Sequence, residues 1–111
     1  MIVGVCRVSL MVPESHSLKE KRMVLRRIKD RVRQKFNAAI AEVGDGDAWQ
    51  SAQIGFAVVA NERGFVESMV SNIVSFIEGL AVAKITDDEK DVLVYGDENI
   101  SGEYNHWEPS E

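Results

Sequence analysis

Residues 17–36 read SLKEKRMVLRRIKDRVRQKF, and this stretch predicts an amphipathic helix that carries most of the positive charge of the chain. Ser17 and Glu20 match a capping box, in which a hydroxyl caps the first turn and a carboxylate three residues later reaches back. Apolar side chains recur at helical spacing and give the helix one buried face. They are Leu18, Val24, Leu25, Ile28 and Val32. We expect the helix to run from Leu18 to Phe36 and to form one wall of a core.

Strands and a second helix are predicted around this segment. The predicted strands are residues 2–12, 36–43, 50–60 and 81–85. The glycines of residues 44–47 indicate a turn that joins the second and third strands as a hairpin. The second helix is predicted at residues 62–78, with Gly79 as its C-terminal stop. Its core face consists of Val66, Met69, Val70, Ile73 and Ile77.

The order of these elements predicts the fold. A βαββαβ chain is typical of a ferredoxin-like α/β (α+β) fold, a two-layer sandwich in which both helices cover one face of an antiparallel sheet. Two interpretations of residues 86–90 are open, since they either turn the chain into a further strand at residues 92–95 or interrupt a continuous strand. We assign residues 1–96 to the ferredoxin-like domain and residues 97–111 to an acidic polar C-terminal tail.

Length and composition indicate one cytoplasmic domain. A chain of 111 residues is long enough for a single two-layer core. The first residues lack the charged segment and cleavage site of a signal peptide, and no apolar run is long enough to cross a bilayer. The single cysteine, Cys6, excludes an internal disulfide and suits a reducing compartment.

Strand parity predicts an apolar open face on the sheet. In the first strand Cys6 and Val8 share the core face, whereas Arg7 and Ser9 point away from the helices. Five apolar residues of the first and third strands fall on this open face. They are Val3, Val5, Met11, Ala57 and Val59. Such a face favours a homo-oligomer interface, and the alternative is that the C-terminal segment covers it. No aromatic residue occupies its central strands, so we do not expect RNA bases to stack there.

The positive charge is concentrated in the first helix. Nine of the thirteen basic residues lie there with two acidic residues, although the whole chain has a net charge of −5. A surface of this kind predicts phosphate binding, for which RNA is the first candidate, and the structural alternative is a solvated face balanced by acids elsewhere. Free N–H groups at the helix start would add to it. The predicted anion- or RNA-binding residues are Ser17, Lys19, Lys21, Arg22, Arg26, Lys29 and Arg33.

Catalytic patterns are sparse. Cys6 alternates with core residues, which indicates a small buried side chain rather than a nucleophile. His16 and His106 have no partner at a spacing typical of a metal site or a catalytic pair. We therefore expect no enzyme activity, no cofactor and no metal.

Two segments outside the regular elements have alternative interpretations. Trp49 at the start of the third strand either closes the end of the core or anchors a partner. The tail contains Asp97, Glu98, Glu103, Glu108 and Glu111. These acids would compete with RNA for the basic helix, and Tyr104 and Trp107 would give the tail two apolar anchors.

Short motifs give a family resemblance. The motifs are HSLKEKR at residues 16–22, Phe36-Asn37, AEV at residues 41–43 and DAWQ at residues 47–50. Together they resemble the YlxP-like family of small bacterial proteins of unknown function. The resemblance covers roughly residues 1–85, and the segment after Thr86 departs from it. It implies a ferredoxin-like fold, a bacterial cytoplasmic protein, self-association and a loose link to translation and ribosome maturation, because relatives are often encoded beside translation factors and ribosome-binding factor A.

Two functional hypotheses follow. The first is a non-enzymatic RNA- or ribosome-associated factor, with RNA or the small ribosomal subunit as its partner and the basic helix as its binding surface. The second is a homo-oligomeric interaction or scaffold module whose basic helix binds acidic protein surface. Neither hypothesis involves a membrane.

Overall fold

The computed structural model of the chain describes residues 1–12, 16–44 and 50–96. Along the sequence the elements are β1 (Ile2–Met11), α1 (Leu18–Lys35), β2 (Ala39–Val43), β3 (Ser51–Ala60), α2 (Arg63–Leu80) and β4 (Lys84–Val94). The strands form one antiparallel sheet in the order β2-β3-β1-β4. This arrangement confirms the predicted ferredoxin-like βαββαβ fold. The predictions for Trp49, the centre of the hairpin turn and the tail at residues 97–111 lie outside the described residues.

The core lies between the sheet and the two helices. β1 and β3 pair along their whole length, from Ile2↔Ala60 to Met11↔Ser51. Their inward side chains are buried, as the parity predicts. These side chains are Cys6, Val8, Leu10, Ala52, Ile54, Phe56 and Val58. The helices cover them with Leu25, Ile28, Val32, Val66, Val70, Ile73 and Ile77. The predicted core faces are confirmed, with Leu18, Val24 and Met69 only partly buried at their margins.

The end of α2 differs from the prediction. The helix continues through Gly79 to Leu80, so Gly79 is not its stop. The chain leaves the helix at Ala81, which has a left-handed φ of 58° and donates its N–H to the Glu78 carbonyl oxygen at 3.2 Å. A glycine inside a helix lowers its stability by about 1 kcal/mol relative to alanine, but it does not by itself end the helix.

β4 settles the two interpretations of residues 86–90 in favour of a continuous strand. Leu10 pairs with Ile85 and Ser9 pairs with Asp87, which leaves Thr86 as an extra residue in β4. The Thr86 hydroxyl donates to the Ser9 carbonyl oxygen at 3.3 Å. This irregularity is a β-bulge, so the interpretation as an interrupted continuous strand is correct and the hairpin interpretation is wrong.

β2 is shorter than predicted, because residues 36–38 do not join the sheet. Phe36 caps α1 instead, where its N–H donates to the Val32 carbonyl oxygen at 2.8 Å. Its ring packs edge-on against Phe76 of α2, with 5.4 Å between the ring centroids. Lys35 completes this corner, since its Nζ lies 5.6 Å from the centroid of the Phe76 ring.

Candidate functional site

The N-terminus of α1 is capped by the residues that the sequence indicates. The Ser17 hydroxyl accepts a hydrogen bond from the Glu20 N–H at 3.1 Å. Glu20 reaches back one residue further than in a standard capping box, because its carboxylate accepts from the His16 N–H at 2.5 Å. The cap therefore places a carboxylate where the predicted site would hold a phosphate. Ser17 serves the cap, and the exposed cations of the helix other than Lys19 lie beyond this first turn.

Lys21 is not part of the exposed surface, which corrects its assignment to the anion site. Its side chain is 1% exposed and lies on the same helix face as Leu25 and Ile28. The Nζ atom donates to the Ser51 carbonyl oxygen at 3.3 Å, where β3 begins. Lys21 thus stabilises the end of the core, with its aliphatic stem packed in the core and its ammonium held by backbone oxygen.

The remaining five predicted cations form one continuous stripe, which we call the basic flank. Its members are Lys19, Arg22, Arg26, Lys29 and Arg33. The spacing of 3, 4, 3 and 4 residues keeps them on one side of the helix over about 21 Å at 1.5 Å per residue. All five are exposed except Lys29, which is partly exposed. Within the described residues, Arg22, Arg26 and Lys29 have no carboxylate within 4.0 Å.

Arg33 has a structural contact at the end of the basic flank. Its Nη2 donates to the Ile40 carbonyl oxygen of edge strand β2 at 2.9 Å. Its Nη1 lies 3.8 Å from the Asp30 carboxylate, and both side chains are half exposed. Arg33 therefore ties α1 to β2, and it is the member of the basic flank that is already engaged within the protein.

Two further cations of α1, Arg27 and Arg31, extend the cationic surface beyond the predicted set, with the exposed Met23 beside them. Met23 is 60% exposed and lines a shallow pocket of about 380 Å³ with Arg26, Arg27, Asp30 and Arg31. Arg27 and Arg31 lie on the opposite side of Met23 from the basic flank. Their i,i+4 spacing in the sequence was the available signal for them, whereas the exposure of Met23 depends on which helix face meets the sheet.

The open face of the sheet carries the five apolar residues that strand parity predicts there. Val3, Val5, Met11, Ala57 and Val59 all point away from the helices. Val59 is 59% exposed and Met11 is 45% exposed. No outward position within the described strands is aromatic, and Tyr95 lies one residue beyond the end of β4. The face therefore lacks stacking platforms for bases on its central strands.

An acidic row on β4 borders this open face, and the sequence-based prediction missed it. Asp87, Glu89 and Asp91 pair with Ser9, Arg7 and Val5, which places them on the outward side. Beside this row the face forms an open depression of about 720 Å³. Its floor consists of small residues, which are Ala39, Ala41, Gly55 and Ala57. The charges are thus divided in space, with cations on α1 above edge strand β2 and acids along edge strand β4.

Cys6 has the properties of a core residue. It is 3% exposed, and burial raises the pKa of its thiol to about 11. The Asp88 carboxylate raises this pKa as well, and Lys90 lowers it. A thiol with a raised pKa is a poor nucleophile at neutral pH. Across residues 1–12, 16–44 and 50–96 no three His, Cys, Asp or Glu side chains are grouped to hold a metal ion, and no helix is long and apolar enough to span a membrane.

Comparisons with known proteins find a family model and a relative that the sequence matches. Residues 3–90 match the model of a family described as a protein of unknown function, DUF503. Over 77 residues the chain is 38% identical to the uncharacterized protein YlxP of Bacillus subtilis (strain 168), and the alignment covers 69% of this chain and 84% of that protein.

The solved structures that resemble the chain include two de novo designed proteins. Foldit4 is 14% identical with a TM-score of 0.47, and the match covers 86% of this chain and 98% of Foldit4. The designed protein LFR1 1, which has a ferredoxin fold, is 16% identical with a TM-score of 0.45, and the match covers 100% of this chain and 96% of that one.

Proposed function

The chain belongs to the DUF503 family of proteins of unknown function, and we propose that it is a non-enzymatic RNA-associated factor that binds phosphate groups through the basic flank of α1. The observation that carries this proposal is the stripe of exposed cations from Lys19 to Lys29 on a chain whose net charge is −5. Four basic and sixteen acidic residues make up the charge outside α1, so the helix is a local cationic surface on an acidic protein.

The composition of α1 supports a binding role because it is unfavourable for the helix itself. Arg22/Arg26 and Lys29/Arg33 are like-charged i,i+4 pairs, and each costs a few tenths of a kcal/mol. Lys19 lies at the positive end of the helix dipole, which disfavours a cation further. A helix optimised for stability alone would alternate the signs of its charges. The binding of a polyanion offsets this repulsion.

The binding mode that fits this surface is contact with the phosphate backbone. Arginine and lysine on an exposed helix bind phosphates without reading bases, and the open sheet face lacks aromatic residues on its central strands. We therefore expect weak sequence preference and a steep salt dependence for single-stranded RNA. The small ribosomal subunit is the larger partner to test, following the link that the family resemblance implies.

The test is fluorescence anisotropy with a mixed-sequence single-stranded RNA at low salt. Reversing Arg22, Arg26 and Lys29 to glutamate should raise the Kd by about tenfold or more, because three phosphate contacts are lost. The matched control reverses Arg63, Lys84 and Lys90, which changes the net charge equally but leaves α1 intact. Equal losses in both variants would attribute binding to net charge and contradict a defined surface.

A second variant addresses the acidic tail. Asp97, Glu98, Glu103, Glu108 and Glu111 are replaced by their amides in the full-length chain. If the tail competes with RNA, this variant binds more tightly than the natural chain. If neither protein binds RNA at low salt, the proposal fails. Cosedimentation with small ribosomal subunits, with and without the three-residue reversal in α1, then tests the larger partner.

A second candidate function is self-association through the open sheet face. The observation that favours it is the exposure of Met11 and Val59 at the two ends of the face whose middle holds the depression. Exposed apolar side chains on the same face as an open depression are typical of an interface. In this hypothesis the basic helices remain on the outside of the assembly and bind acidic protein surface. Sedimentation equilibrium of the full-length chain measures whether it self-associates.

A further inference from the structure

The middle of the open sheet face has two halves, a hollow half on β2 and β3, where side chains are small, and a raised half on β1 and β4, where they are larger. The β-ladder register places one residue of each strand at the same level of the sheet, in the order β2, β3, β1 and β4. One level consists of Ala41, Gly55, Arg7 and Glu89. The next consists of Ala39, Ala57, Val5 and Asp91. At these two levels the small residues lie on β2 and β3, and the larger side chains lie on β1 and β4.

We infer that two copies of this chain pack these faces together about a twofold axis that runs parallel to the strands between β1 and β3. This arrangement rests on the proposed self-association and specifies its geometry. Rotation about this axis places β1 of one copy over β3 of the other and β4 over β2. Residues at the same level of the two sheets stay opposite each other. It places Arg7 over Gly55 of the second copy, Val5 over its Ala57, and Glu89 over its Ala41.

Shape favours this axis over the other one. Sheets that pack face to face with aligned strands can be related by a twofold axis either parallel or perpendicular to the strands. The parallel axis sets the raised half of each copy into the hollow half of the other. The perpendicular axis would place β1 and β4 of one copy over β1 and β4 of the other. The hollow halves of the two copies would then face each other across an unfilled space, and packing contacts would be lost.

Charge selects the same axis independently. The perpendicular axis would bring the acidic row of Asp87, Glu89 and Asp91 against the same row of the second copy. Like charges that face each other at an interface weaken association. The parallel axis instead places each acidic row over Ala39, Ala41 and Val43 at the far edge of the second copy. Each Arg7 also keeps Glu89 as its cross-strand neighbour of opposite charge within its own sheet.

Substitutions of Ala41 by residues of opposite charge test the sign of the charge that lies opposite Ala41 in the second copy. It is exposed on edge strand β2, so both Ala41→Glu and Ala41→Arg are compatible with the fold of one copy. With the parallel axis Ala41 faces Glu89 of the second copy. Sedimentation equilibrium of the full-length chain should then show that Ala41→Glu raises the dimer Kd by about tenfold or more. Ala41→Arg should leave the Kd unchanged or lower it, and Ala41→Glu combined with Glu89→Arg should restore it.

Three results separate the arrangement from self-association itself. Equal weakening by Ala41→Glu and Ala41→Arg, without rescue by Glu89→Arg, would overturn the parallel axis and leave the dimer in place. A large gain in dimer affinity from Glu89→Arg alone would also overturn it, because that gain indicates acidic rows in contact. A natural chain that stays monomeric at high micromolar concentration would overturn both. Thermal unfolding of each variant verifies that the fold is retained.

Discussion

The ammonium group of Lys21 donates to the carbonyl oxygen of Ser51 at 3.3 Å from a side chain that is almost fully buried. This contact joins the first turn of α1 to the start of β3. It separates Lys21 from the other cations of α1, a difference that the sequence indicates only through the helical spacing of Lys21 from Leu25 and Ile28. The separation leads to an experiment in which stability and RNA binding respond differently to two lysines of the same turn.

Lys21→Ala should destabilise the protein without weakening RNA binding. The substitution removes a buried stem and the donor of a partly buried hydrogen bond to Ser51, which together lower the free energy of unfolding by about 2 kcal/mol. Lys19→Ala is the matched control, since Lys19 is exposed on the basic flank two residues earlier. Urea unfolding should show a loss for Lys21→Ala alone, and RNA anisotropy should show a loss for Lys19→Ala alone. Weaker RNA binding by Lys21→Ala with no loss of stability would show that Lys21 belongs to the binding surface.

Gly4→Ala should destabilise the fold because α2 packs directly on this glycine. A Cβ atom at Gly4 would lie 2.6 Å from Cγ1 of Val66 and 2.8 Å from Cγ2 of Val70. Relief of that overlap requires movement of the helix and costs about 1–3 kcal/mol. At Gly64 a Cβ atom would have no neighbour within 4 Å, so Gly64→Ala in α2 should stabilise the protein by up to about 1 kcal/mol. Thermal unfolding of the two variants compares these effects, and similar shifts in Tm would contradict the close packing at Gly4.

Cys6 predicts a loss of stability at alkaline pH. Its thiol pKa is about 11 in the folded protein and 9.0 as the ordinary value, so the folded state holds this proton more tightly than the unfolded state. The contribution of the protonated Cys6 thiol to the free energy of unfolding is complete below pH 9 and is lost as the pH rises toward 11. Cys6→Ala should show a weaker decline of unfolding free energy over this range than the natural chain. An identical pH dependence in both proteins would show that another group is responsible.

The parts of the fold that the sequence predicted correctly are those with local or periodic signals. Ser17 and Glu20 mark the start of α1 because the cap is completed within four residues. The alternation of Cys6 and Val8 with Arg7 predicts the face of β1, since successive side chains of a strand point to opposite sides. These signals need no knowledge of distant residues, and the structure follows them closely.

The parts that the sequence did not predict depend on distant partners. The bulge at Thr86 arises from pairing with Ser9 and Leu10, more than seventy residues away. A shift of one residue moves every later side chain of a strand to the other face, so the acidic row of β4 could not be placed before the bulge was known. The helical spacing of Lys21 from Leu25 and Ile28 indicates its face, but no local pattern points to its partner, the Ser51 carbonyl oxygen.

Arg33→Ala should loosen edge strand β2, whereas Arg22→Ala should not. The Arg33 guanidinium holds the Ile40 carbonyl oxygen at 2.9 Å, and the loss of this half-exposed contact lowers the free energy of unfolding by about 1 kcal/mol. Amide hydrogen exchange in β2 should accelerate in Arg33→Ala and stay unchanged in Arg22→Ala. Both variants should weaken RNA binding, because both cations lie on the basic flank. If Arg33→Ala leaves β2 exchange unchanged, then the bond to Ile40 does not hold the edge strand, and Arg33 serves the binding surface alone.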